Sequence, residues 1–123
     1  MPTNNDQSVL LIISNPPFYS ASNRETLDIG LAFSAFDIPV SILFIDDGIL
    51  QIKSDLNSEQ LAQKNLINTF KALEMYDIQD CYVINKDLER FNLSTNALAI
   101  KCKTLDKDAI AQFIQAFKTV INL

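Results

Sequence analysis

The chain has 123 residues, 48% of them apolar and 20% charged, enough for one core and too few for two ordinary domains. Ten Lys and Arg against fifteen Asp and Glu leave a net charge of −5, which opposes the clustered positive charge that phosphate-backbone binding needs, so no direct nucleic-acid contact is expected. Without a single histidine the chain lacks the side chain best suited to proton transfer near neutral pH and to metal ligation; serine-hydrolase triads, zinc hydrolases and most cysteine proteases are excluded, and no cofactor or metal is expected.

Met1 to Gln7 is polar and has neither the basic start nor the apolar run of a signal peptide; it reads as a flexible lead-in to a single domain over 1–123. No apolar run approaches a membrane span, so no membrane partner is expected and a cytoplasmic location is implied. Ser8 to Ser14 is a continuous apolar run stopped by Asn15-Pro16-Pro17, the pattern of a strand buried on both faces. From Ser20 to Phe36 the spacing turns helical: Ile29, Ala32, Phe33 and Phe36 fall on one face, widened by Leu27 and Leu31. Ser22 with Glu25 three residues on has the form of a capping box.

Ile38-Pro39 ends that helix, and Val40 to Ile45 makes a second strand, followed by the turn signal Asp46-Asp47-Gly48. Ser58 to Met75 is helical again, with Leu66, Phe70 and Leu73 in step and a cap at Asn57 or Ser58. Gln79 to Ile84 is strand three, Lys86 to Phe91 one or two helical turns, Leu98 to Lys103 strand four, and Lys107 to Phe117 a helix with Ile110, Phe113, Ile114 and Phe117 on one side. Thr119 to Leu123 is short and β-rich. Such alternation predicts a three-layer α/β/α fold, flavodoxin-like in general appearance, around a mostly parallel sheet of about five strands. Ligands and reactive groups in such folds gather at the carboxyl ends of the strands, here Asn15 to Ser20, Asp46 to Gln51 and Asn85 to Arg90.

The first of these turns contains no glycine and so cannot form a glycine-lined phosphate cradle. Ser20 and Ser22 leave a flavodoxin-like small-molecule site as a reading by fold analogy, against a rigid Pro-Pro loop. Asp46-Asp47 does not make a receiver-domain magnesium site, because strand one ends in Ser-Asn-Pro and strand three in Ile84-Asn85 where further carboxylates would be needed. Asp47, Gly48, Ile49, Leu50 and Ile52 put apolar residues in a segment that should be a surface loop. Two readings stand: a strand or helix start tucked against the core, or an exposed contact with another protein.

Cys81 and Cys102 are the two thiols, with no CxxC pair. A sulfur carrier needs an exposed, activated thiol. Cys81 early in strand three reads as a small packed hydrophobe. Cys102 late in strand four lies between Lys101 and Lys103, but alternation turns it to the opposite face, so their charges need not activate it.

Three stretches together resemble the TusC/DsrF family within the DsrE/DsrF-like superfamily: Leu10-Leu11-Ile12-Ile13-Ser14 with Asn23-Arg24-Glu25-Thr26-Leu27-Asp28; Phe44-Ile45-Asp46-Asp47-Gly48-Ile49-Leu50-Gln51; and Phe70-Lys71-Ala72-Leu73-Glu74-Met75-Tyr76-Asp77-Ile78 leading to Cys81-Tyr82-Val83. Their order and spacing span nearly the whole chain. The resemblance implies a subunit of a hetero-oligomer with TusB-like and TusD-like partners that passes persulfide sulfur toward 2-thiouridine formation at the tRNA wobble position, or the analogous DsrE, DsrF and DsrH assembly in a sulfur-oxidising cell. It also implies that the sulfur-carrying cysteine belongs to the TusD-like subunit, after strand three. The matching place here is near Ile84 or Asn85 and holds no thiol, so no catalytic residue carries over. A stand-alone carrier using Cys102 or Cys81 is the rival reading, and self-association of the isolated chain is expected from the likeness and the apolar loop.

Overall fold

Two buried strands, the first apolar throughout and the second apolar but for Ser41, form the middle of the molecule. In the computed structural model, which describes residues 8–15, 22–53 and 80–122 (the side chains of 22–27 excepted), β1 (Val9–Ile13) and β2 (Val40–Phe44) are buried along their whole length. Their residues pair one to one and in parallel, from Val9 with Val40 to Ile13 with Phe44. Each such apolar side chain contributes about 1.5–3 kcal/mol relative to an exposed one, so these two strands dominate the core. The helix expected over Ser58 to Met75 and its cap, the N-terminal lead-in, the Pro16–Ser20 loop and the Ser22–Glu25 capping pair lie outside the described residues and side chains.

β3 (Asp80–Ile84) pairs with β2, the three-residue β4 (Lys103–Leu105) pairs with β3, and β5 (Thr119–Asn122) pairs with β1, every pairing parallel. The five-stranded order is β4-β3-β2-β1-β5. Three consecutive steps move one way across the sheet and the last returns to the far side of β1, which places the final crossover on the other face. Alternation along the strands divides the core accordingly. Val9, Leu11, Ile13, Ile42, Phe44, Cys81 and Val83 face α1 (Ser22–Ala35), whose Ile29, Leu31 and Phe33 pack on them. Leu10, Ile12, Leu43 and Ile84 face α3 (Ile110–Gln115), with Phe113, Ile114 and Phe117 against them. The short α2 (Asn85–Arg90) follows β3 without a loop. The result is the expected three-layer α/β/α fold.

Four expectations are corrected. Strand four is Lys103–Leu105, not Leu98 to Lys103. Leu98 and Ile100 are apolar because they plug the core from a loop, where Leu98 forms an antiparallel bridge with Lys53 and the Ala99 N–H donates to the Ile52 carbonyl at 2.6 Å. Cys102 therefore precedes β4 and is not late in a strand. The last helix divides into a 3₁₀ turn, Lys107–Ala109, and α3. Phe36 does not join the buried face of α1: it lies one residue past the helix, 79% exposed, where Asp37 turns the chain at φ 60°. Ala32 is exposed as well.

Candidate functional site

The segment Asp46–Ile52, a 3₁₀ helix, follows β2 and packs against the carboxyl end of β1 and against α2, which follows β3. Its entry is Asp46, held at φ 55°, a left-handed conformation that Asp tolerates better than most residues. Ile45 first extends the ladder by donating its N–H to the Ile13 carbonyl at 3.0 Å, and Gly48 then donates to the Ile45 carbonyl at 3.0 Å. Gly48 sits so close to the end of β1 that a Cβ there would lie 2.0 Å from the Ile13 carbonyl oxygen and 2.7 Å from its carbon. Only glycine permits this approach.

The apolar stretch behind the turn is therefore core. Gly48, Ile49 and Ile52 are buried within the chain, Ile49 and Ile52 completely, which removes the argument from exposed apolar surface for these three. Leu50 and Asp47 are the members that reach the surface, Leu50 in part and the Asp47 side chain by about half (47%). Gln51, also fully buried, donates its Nε2 to the Asn15 carbonyl at 2.8 Å, and its Oε1 has no hydrogen-bond partner among the described residues.

Helix α2 is tied to this segment twice. The Asp46 N–H donates to Asp87 Oδ2 at 2.8 Å, and Arg90 meets the Asp47 carboxylate at 2.7 Å while its guanidinium lies 4.3 Å from the centre of the Phe91 ring. Burial pushes the Asp87 carboxyl above the usual carboxylate range; the Asp46 N–H opposes the shift, the Asp46 charge adds to it, the Arg90 charge opposes it and the Asp47 charge adds to it. Asn85, the first residue of α2, donates Nδ2 to Asp106 Oδ1 at 2.7 Å. Between these elements is a cleft of about 250 Å³ walled by Ile45, Ile84, Asp87, Arg90, Lys107 and Ile110. With no thiol among the residues that form it and no imidazole anywhere in the chain, this end can hold a shape or accept a partner but has no sulfur nucleophile of its own.

The two thiols lie elsewhere. Cys81 is one residue into β3 and 5% exposed, three residue steps from Ile84, about 10 Å of strand at roughly 3.3 Å each. Cys102 packs from the loop against the same apolar cluster, and burial, then the Cys81 thiol, push its own thiol up to about 12. Such a thiol is overwhelmingly protonated at neutral pH. Asp87 was not visible as a site residue in the sequence; its one signal is an acid at the third position of a helix that starts directly from a strand.

At the opposite end of the sheet a groove of about 510 Å³ runs under α3, with Ser41, Asp80, Tyr82, Lys103, Phe113 and Phe117 among its walls. Tyr82 and Phe113 meet at a tilt of 60° with 4.6 Å between centroids, and Phe113 and Phe117 meet edge-on at 5.2 Å. Burial, then Asp80, raises the Tyr82 phenol above its ordinary value, and Lys103 works against the shift. Among the described residues there is no cluster of potential metal ligands and no helix long and apolar enough to cross a membrane.

The sequence pattern of the DsrE/DsrF-like family matches residues 7–123. A TusC homologue of Pseudomonas aeruginosa is 38% identical over 117 residues, covering 95% of this chain and 98% of that protein. TusC homologues of Haemophilus influenzae (31% identical, 85% of this chain and 89% of that protein) and Pasteurella multocida (29%, 90% and 95%) match as well. Among solved structures, the ychN protein of E. coli superposes with a TM-score of 0.73 at 12% identity, covering 95% of this chain and 99% of that one. A conserved protein of unknown function from Bacteroides thetaiotaomicron gives 0.71 at 6% identity, covering 96% of each. By a match that runs almost end to end, the chain belongs to the DsrE/DsrF-like family, in its TusC/DsrF branch.

Proposed function

We propose that this chain is a noncatalytic, TusC-like subunit of a cytoplasmic sulfurtransferase complex, in which it supports persulfide transfer by TusB-like and TusD-like partners toward 2-thiolation of the tRNA wobble uridine. The observation that carries this reading is the carboxyl end of β3. There Ile84 runs straight into α2 and Asn85 is engaged with Asp106; on this reading the carrier cysteine of a TusD-like subunit corresponds to a place near Ile84 or Asn85, which holds no thiol here. A chain with the family's fold, no thiol at that position and its Cys102 thiol raised to about 12 is suited to shaping or steadying a carrier subunit. Surface near that end, including Asp47 and Leu50 in front of the buried Gly48, Ile49 and Ile52, is the contact region in this proposal.

Co-expression with TusB-like and TusD-like proteins, one of them tagged, tests it. The expected result is a stable mixed assembly containing this chain, in which persulfide loading adds the mass of sulfur to the TusD-like chain and none to this one. Leu50→Asp should weaken recovery of the assembly while the isolated chain stays folded. A chain that binds neither partner, or that takes up sulfur itself, overturns the proposal. Wobble-uridine thiolation in cells lacking the gene then separates tRNA modification from a DsrF-like role in sulfur oxidation.

A further inference from the structure

The register of β3 and β4 brings the chain's only two thiols to one place. Tyr82 lies opposite Lys103, Val83 opposite Thr104 and Ile84 opposite Leu105. Continued one residue past the first pair, that register sets Cys102, just before β4, level with Cys81, and the Cys81 thiol is close enough to act electrostatically on Cys102. The side chains agree with that phase. Tyr82 and Lys103 both line the groove under α3, whereas Cys81 belongs to the apolar cluster on the α1 face and Cys102 packs against it. Neighbouring strands run about 4.7–4.9 Å apart, inside the Cα separation of about 4.4–6.8 Å that a disulfide spans.

We propose that Cys81 and Cys102 are a cross-strand dithiol that closes to an intramolecular disulfide at the β3–β4 edge when the protein meets a peroxide. Cys102, the less buried of the two, reacts first. Its thiolate sulfur attacks one peroxide oxygen, the O–O bond breaks, and a sulfenic acid and hydroxide result, the hydroxide taking up the thiol's proton to become water. The Cys81 sulfur then attacks the sulfenic sulfur: the S–S bond forms, the S–O bond breaks, and the hydroxyl leaves with the Cys81 proton as a second water. Two thiols and one hydrogen peroxide become one disulfide and two waters, the sulfurs losing two electrons and the peroxide oxygens gaining them.

Access comes from the edge. β4 has three residues, and Lys103 and Thr104 are exposed, so it can open locally without the rest of the sheet. The closed state holds little Cys102 thiolate, which makes the pair slow to react and selective for sustained oxidant. Once formed, the link closes the chain between residues 81 and 102, a span that includes all of α2, and fixes that helix's attachment to the sheet.

The test treats the reduced, full-length, folded protein with hydrogen peroxide, alkylates the remaining thiols and reads the intact mass. The expected product is lighter by two hydrogens, takes up no alkylating reagent, reverts with dithiothreitol and maps to a peptide joining Cys81 to Cys102. Cys102→Ser should abolish it. Cys81→Ala, if folded, should stop at Cys102 and gain oxygen instead. Oxygen added at either cysteine without a crosslink, dimers linked between chains, or a crosslink that forms only in denaturant each overturn the proposal.

Discussion

The backbone N–H of Asp46 donates to the carboxylate of Asp87 at 2.8 Å, joining a residue in the left-handed region to a carboxylate that is only 7% exposed. The bond steadies the unusual turn at Asp46 and gives the buried Asp87 oxygen a donor. Asp87→Ala removes the acceptor and should cost about 1.5–3 kcal/mol, the range for a hydrogen bond to a charged group. Asp87→Asn keeps an acceptor oxygen and should cost less, read as the midpoint of urea unfolding.

Because burial raises the Asp87 carboxyl in the folded protein, the folded state holds its proton more tightly than the unfolded state. The stability from this linkage is fully present below the ordinary carboxylate value and is lost as pH rises through the raised one. Unfolding midpoints measured across the mildly acidic range should show this fall in the wild type, and Asp87→Asn should flatten it.

Gly48→Ala places a methyl where the Ile13 carbonyl already is, 2.0 Å away, and backbone atoms cannot rotate aside as a side chain could. The turn or the end of β1 has to move. A loss of at least about 1–3 kcal/mol is expected, at or above the usual cost of overpacking, together with a clear drop in Tm. A Tm unchanged from wild type would show that the close approach is dispensable.

Arg90 and Asp47 meet at the same 3₁₀ segment, yet both side chains are about half exposed. Water screens such pairs, so a double-mutant cycle with Arg90→Ala and Asp47→Ala should give a coupling of about 0–1 kcal/mol that shrinks further in salt. The two ties between α2 and the turn thus look alike in distance and should differ severalfold in strength.

Cys102 supplies an alkaline counterpart to Asp87. Its thiol moves from 9.0 to about 12 on folding, so stability linked to it is complete below 9 and is lost as pH rises toward 12. Cys102→Ser should reduce that alkaline loss. At pH 8 iodoacetamide should label the native protein slowly and both cysteines readily in denaturant.

How much of this was legible follows from where each residue's side chain goes. Val9–Ile13 and Val40–Phe44 are buried on both faces, so a run that is apolar in the first and broken by Ser41 alone in the second is sufficient to find them. β4 is largely exposed, and its Lys-Thr-Leu sequence carries no such run; the eye is drawn instead to Leu98 and Ile100, which pack from a loop. Ile49 and Ile52 stand three apart, the period of a 3₁₀ helix, but a single turn is too short for periodicity to separate core from surface. The contact of Asp46 with Asp87 and the packing of Cys102 against the cluster that holds Cys81 depend on which elements are neighbours, and no local pattern encodes either.

Strand order has one more consequence, for synthesis. β1, buried at every position, pairs on its outer side with β5, and the Thr119 N–H donates to the Ser8 carbonyl at 3.1 Å. A ribosome delivers about 5–20 residues per second, so the outer backbone groups of Val9–Ile13 wait on the order of ten seconds for residues 119–122 to be made. For that interval the nascent chain carries an unpaired edge along a wholly apolar strand, the kind of edge that templates pairing with another chain.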